Sequence, residues 1–209
     1  MTVPKLFVTL RSEYEDSKSQ CDAVIERSRR LPQHVFQPRL DHFLLLDFDR
    51  ILSADFIRLL QSGVRELDEV EIKLSLIEPD PAEYFYSNFG IYGTLDFTVA
   101  TSAEELIDAI AWEPQDSPAD ALLYNSAILC AYSPSARWAV WADREHEIAV
   151  VAWRPEASRL GAHLREHLIG LSIDEALDRV AMAFPSQIVP TEFIASFSQN
   201  YSASETNVT

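Results

Sequence analysis

Apolar patterning along the chain predicts an α+β fold with a mixed or mainly antiparallel sheet, covered on one face by helices. Two observations carry this expectation. Helical and strand-like patterns alternate at first, and three strand-like segments then run consecutively before helical patterns resume. The clearest strands alternate apolar and polar residues singly, as a sheet with one packed face requires.

The elements follow in order. Residues 5–10 read as a strand, a longer and more polar helix follows over 13–30, and 43–48 form the next strand. Ser53 then precedes a helix whose stripe is Phe56, Ile57, Leu60, Val64 and Leu67. In 70–77, Val70, Ile72, Leu74 and Leu76 share one face, with Glu71, Lys73 and Ser75 opposite. Leu95, Phe97 and Val99 repeat that alternation within 94–100. Ser102 with Glu105 forms a capping box for a helix burying Ala103, Leu106, Ile107 and Ile110. Segments 127–132, 138–142 and 147–153 supply the three consecutive strands. Leu160, Leu164, Leu168 and Leu171 mark the buried side of another helix. Ser172 with Glu175 opens the next, and a short one covers 191–199 after Pro190. Residues 113–118 are the best candidate hinge, yet six residues also make an ordinary loop. The expectation is one domain over residues 1–195 and a polar, disordered tail over 196–209.

Composition narrows the function. The chain has 209 residues and a formal net charge of −16. Five glycines are too few for the clustered turns of phosphate-cradling or dinucleotide folds. Two cysteines, Cys21 and Cys130, make no disulfide framework and point to a reducing compartment. No apolar run approaches the ~20 residues of a spanning helix, so no membrane association and a cytoplasmic location are expected. The charge is unevenly spread. Residues 1–40 hold seven Lys or Arg against five acids, and the remainder holds ten against 28. Between Leu74 and Ala136 there is no Lys or Arg at all, while ten acids occur. Such a stretch lacks the positive footprint that phosphates need, so no nucleic-acid partner is expected. It suits either a solvated surface or one that steers a basic protein partner.

That stretch also carries Tyr84, Phe85, Tyr86, Phe89, Tyr92 and Phe97, too many aromatics for one helix face and one strand face to hide. Phe85, Phe89 and Phe97 are expected in the core. Tyr84, Tyr86 and Tyr92 would present rings beside Glu78, Asp80 and Glu83, as anchors for Arg or Lys. The hairpin from Arg137 to Trp153 adds Trp141, Asp143, Arg144 and Glu145 at its tip. Trp138 and Trp141, three apart in a strand, face opposite sides, which places one in the core and leaves the other for an interface.

Two motifs offer chemistry. Asp47-Phe48-Asp49, closing an apolar run, resembles the opening motif of haloacid-dehalogenase-like phosphotransferases. That resemblance implies Asp47 as nucleophile on phosphorus, Asp49 as acid and base, and Mg²⁺ held by both. Arg50-Ile51 stand where that family has a small pair, and Lys73, the only lysine after residue 18, lies mid-strand. His163-Leu164-Arg165-Glu166-His167 matches a His-x-x-Glu-His zinc pattern, with His163 and His167 as ligands. Glu166, however, points away from the buried leucines, so the bland reading is a surface helix, and no cofactor is expected. Finally, the strand at 127–132 with Trp138-x-x-Trp141-x-Asp143-Arg144-Glu145-x-Glu147-Ile148-Ala149-Val150 resembles immunity proteins of bacterial polymorphic-toxin systems, over roughly residues 124–153. This implies a non-enzymatic cytosolic inhibitor that docks a basic toxin domain.

Overall fold

The computed structural model describes residues 2–115 and 120–202. The strand-like segments become β1 (His42–Asp47), β2 (Glu71–Glu78), β3 (Thr94–Thr98), β4 (Ile128–Tyr132), β5 (Trp138–Asp143) and β6 (Ile148–Trp153). They form one sheet of order β1-β6-β5-β4-β2-β3, antiparallel at every pairing. The helices are α1 (Arg11–Asp22), α2 (Phe48–Ile51), α3 (Ala54–Arg65), α4 (Tyr86–Phe89), α5 (Ala103–Ile110), α6 (Leu122–Asn125), α7 (Ser158–His167), α8 (Ile173–Val180) and α9 (Thr191–Tyr201). This is an α+β arrangement. Among the described residues no helix is long and apolar enough to cross a membrane.

Helix starts fall where side-chain caps allow. Ser53 Oγ accepts from Phe56 N–H at 3.2 Å, and Ser102 Oγ from Glu105 N–H at 3.0 Å. At Ser172 the reciprocal box closes, since Glu175 also accepts from the Ser172 N–H. The helix expected over 13–30 stops at Asp22. Beyond it the chain turns, so that Ile25 pairs with Phe36 in a single bridge.

The sheet is covered on both faces, not one. Trp138, Val140 and Ala142 of β5, with Ala149, Val151 and Trp153 of β6, pack against Leu60 and Val64 of α3, Leu106 of α5 and Leu160 and Leu164 of α7. Their neighbours Ala139, Trp141, Ile148, Val150 and Ala152 face a second core of Val24, Ile25, Leu31, Val35, Phe36 and Leu40, closed by Ala176, Val180, Phe193, Phe197 and Tyr201. The physical reason is legible in retrospect. Central strands buried on both sides read as continuous apolar runs, whereas single alternation belongs to β2 and β3, the outermost pair on one side, where Glu71 and Asp96 stay exposed.

Two further corrections concern the ends. Residues 5–10 make no strand of their own. Phe7 forms a single bridge with Leu95, flanked by Val8 N–H to Thr94 O at 2.9 Å and Asp96 N–H to Leu6 O at 2.9 Å. Nor does order end at residue 195, because α9 continues to Tyr201, whose buried hydroxyl accepts from Val35 N–H at 3.0 Å. The remainder of the expected tail from 203, and 116–118 of the expected hinge, lie outside the described residues.

Gly161 sets how closely α7 can approach the sheet, because a Cβ there would overlap the Trp153 indole. Gly161→Ala should therefore lower stability by about 1–3 kcal/mol through overpacking. A urea midpoint matching that of the parent protein would refute this packing.

Candidate functional site

Register assembles the site. One row across the sheet runs Asp47, Ile148, Asp143, Ile128, Glu78, so β1, β5 and β2 each place a carboxylate at the same sheet end. The loops beyond that row add Asp49, the Arg144–Glu147 turn, and Asp80, Glu83 and Tyr84. A cleft of about 200 Å³ is lined by Arg30, Glu78, Ala127, Ile128, Asp143, Glu145 and His146. Its neighbour, about 340 Å³, is lined by Glu78, Tyr84, Tyr124, Ser126, Arg144 and adjoining backbone. Glu78 and Ala127 belong to both. The structure thus brings together five of the residues singled out in the sequence: Glu78, Tyr84, Asp143, Arg144 and Glu145.

Several of them are committed to the fold. Asp143 is only 3% exposed and organises the hairpin turn. Its Oδ1 accepts from His146 N–H at 3.2 Å and its Oδ2 lies 2.9 Å from His146 Nδ1. Burial lowers the His146 pKa, but the Asp143 hydrogen bond, the Asp143 charge and Glu145 together outweigh it, leaving the imidazole above its ordinary value. Arg144 lies over the Phe48 ring at 4.5 Å and donates to Ser126 O, Leu123 O and Ser126 Oγ at 2.7, 2.7 and 3.1 Å. Burial holds its pKa down, with Asp49 opposing. Arg30 pairs with Glu78 at 3.0 Å and reaches over Trp141.

The interface roles expected for Trp141 and Tyr92 are corrected. Trp141 is wholly buried, because β5 is covered on both faces and its second face holds this indole. Tyr92 is buried between Tyr14 and Tyr86, at ring-centroid distances of 4.4 and 4.5 Å and nearly parallel to the first. Only Tyr86, at the end of that stack, remains exposed. Tyr84 is half-buried with its edge to Phe85. Asp80 is exposed and caps the turn Pro81–Phe85, accepting from Ala82 and Glu83 N–H. Asp80, Glu83 and Glu145 are exposed, as is Glu78 beside its Arg30 partner, and they present negative charge at this end.

Sequence reasoning missed the apolar part of this region. Tyr124 borders the larger cleft and is 68% exposed. Residues 181–190 carry no charge, and within them Phe184 packs beside the His146 ring while Met182 and Ile188 stand out into solvent, 60% and 71% exposed. Ser186 and Gln187 both adopt left-handed backbone, φ 60° and 57°, which costs non-glycine residues energy. The sequence carries no distinctive signal for this segment, since 84–95 and 121–136 are longer uncharged runs.

The two enzymatic motifs sit differently. Asp47 Oδ1 accepts from Asp49 N–H at 3.3 Å as the cap of α2, and Oδ2 pairs with Arg179 at 3.3 Å. Asp49 is exposed on an open depression shared with Arg50, Ser53 and Asp55. β1 is an edge strand of an antiparallel sheet, and Lys73 lies four strands away, paired with Asp96 at 2.7 Å. His163 Nδ1 contacts Glu66 Oε1 at 3.1 Å, and His167 Nδ1 lies 2.9 Å from the His163 carbonyl oxygen. Among the described residues no three His, Cys, Asp or Glu side chains are grouped so that they could hold a metal ion, and Glu166 is exposed. Comparison of the chain with family models, curated proteins and solved structures gives no match.

The Asp143–His146 pair has a pH signature. A pKa raised on folding contributes stability fully present below the ordinary value of 6.5 and lost as pH rises through the folded value. Urea midpoints should thus fall between pH 5.5 and 8.5 more steeply in the parent protein than in Asp143→Asn. Parallel profiles would show that the pair contributes nothing.

Proposed function

We propose that the protein is a binding module whose acidic sheet end docks a basic protein partner, in the manner of an immunity protein that inhibits a toxin domain. The observation that carries this reading is the placement of Glu78, Asp80, Glu83 and Glu145 at one sheet end, where Arg30 and Arg144 are already engaged. Arg30 is paired with Glu78, and Arg144 is spent on backbone carbonyls. The remaining carboxylates therefore present net negative charge, which accelerates encounter with a basic surface. Tyr86, Tyr124, Met182 and Ile188 supply ring and apolar contact that charge alone does not, and slow dissociation. The resemblance over roughly residues 124–153 supports the same reading, because the hairpin that carries it ends at this tip. Inhibition would be steric, by covering the partner's working surface.

The product of the neighbouring open reading frame is the partner to try first. Its association rate should fall at least tenfold between about 20 and 200 mM salt. The triple variant Glu78→Gln, Glu83→Gln, Glu145→Gln should slow association, while Tyr124→Ala and Ile188→Ser should mainly speed dissociation. An association rate indifferent both to salt and to the triple variant would remove this surface from consideration.

A further inference from the structure

Cys21 and Cys130 are the chain's two cysteines, 109 positions apart, and the fold sets their Sγ atoms 3.3 Å from one another in the second core. Both are free thiols and both are buried. Cys21 is the penultimate residue of α1, and Cys130 is the middle residue of β4. Two cysteines make no disulfide framework, but their juxtaposition brings a single cross-link within reach.

The seat of α1 is thin. Tyr14, Ser17 and Cys21 are its buried residues, and the rest of the helix is polar. Ser17 ties it down, its carbonyl accepting from Tyr132 Oη at 2.7 Å and its hydroxyl from Lys73 Nζ at 3.2 Å. Near the helix C-terminus, Gln20 Oε1 is buried without a hydrogen-bond partner, and Arg27 Nε makes a long ion pair with Asp22 at 4.0 Å. A helix with few buried apolar contacts and an unsatisfied polar atom beneath it is the kind of element that opens locally at low cost. Opening would bare Cys21 first and uncover Cys130.

We propose that Cys21 and Cys130 are a redox pair that closes to a disulfide and fastens α1 to β4. The co-reactant is a small-molecule disulfide of the glutathione class. Cys21 gives its proton to solvent and its sulfur attacks one sulfur of the small disulfide, breaking that S–S bond and releasing one small thiolate. Cys130, once deprotonated, attacks the Cys21 sulfur of the mixed disulfide and releases the second. Two protein thiols are oxidised, one small disulfide is reduced, and the two protons finish on the two released thiols. Burial pushes the Cys130 thiol well above its usual range, so its step waits for α1 to open. In the reduced protein α1 is free to lift from the sheet, whereas the oxidised form is latched.

The full-length protein, equilibrated with oxidised and reduced glutathione at graded ratios and quenched by alkylation, tests this by intact mass and peptide mapping. The expected product has lost two hydrogens, carries no alkylatable thiol after denaturation, and yields a Cys21–Cys130 linked peptide. Closing so long a loop should raise the folding equilibrium constant on the order of a thousandfold, reversibly with reductant. Cys21→Ser and Cys130→Ala should each abolish this response. If either fails to fold, as circular dichroism would show, the parent protein's linked peptide and stability shift still decide the matter. Two thiols that stay free at every ratio, a persistent mixed disulfide at either cysteine, or a cross-link between chains would overturn the proposal.

Discussion

Burying the β5–β6 hairpin on both faces is the constraint from which the rest of the structure follows. Every residue of both strands is buried, with Trp138 and Trp153 on one side and Trp141 on the other. A hairpin so enclosed needs its polar ends held. At the start of β5, Glu69 accepts from Ser135 Oγ, Arg137 Nε and Trp138 Nε1 at 2.6, 2.6 and 3.1 Å, while Arg137 also reaches Leu67 O. At the far end, Arg144 and the Asp143–His146 pair do the equivalent. Breaking either clamp would leave buried charge uncompensated, which costs more than the intact pair contributes. Every helix that touches these strands is therefore positioned by a rigid object.

That rigidity explains the division of labour among the acids. Asp47 and Asp143 sit in the same row as Glu78 but have their oxygens occupied by capping and pairing. Glu145 and Glu83, two residues beyond Asp143 and five beyond Glu78, are exposed. Neighbouring carboxylates thus serve opposite purposes, the inner ones shaping the loops and the outer ones giving those loops their charge. The uncharged segment after α8, docked through Phe184 beside His146, shares the same support.

The sequence made the strands legible because β2 and β3 alternate and β4–β6 are bounded apolar runs, and it made helix starts legible where Ser53, Ser102 and Ser172 cap them. The second covering layer was not legible. Val24, Ile25, Leu31, Val35, Phe36 and Leu40 are buried from irregular chain, which has no period to detect. The three-residue spacing of Trp138 and Trp141 placed them on opposite faces correctly, yet could not tell that both faces are core. For the candidate site, residue identities were readable but their meeting was not. Asp47, Asp143 and Glu78 align only through strand register, and Tyr92 is hidden by Tyr14, which lies far from it in sequence.

The margins of the sheet carry one more consequence. On β1, the Phe43 carbonyl accepts from Arg165 and the Leu45 carbonyl from Leu171 N–H. On β3, Leu6 and Val8 occupy the outward backbone groups of Asp96 and Thr94. Both margins are stoppered by the chain itself, which guards against edge-to-edge aggregation. It also closes the route by which many proteins recruit a partner, the addition of a foreign strand through main-chain hydrogen bonds. Recognition here falls to side chains projecting from loops. Those residues can be exchanged one by one, retuning specificity while the hydrogen-bonded frame beneath them stays unaltered.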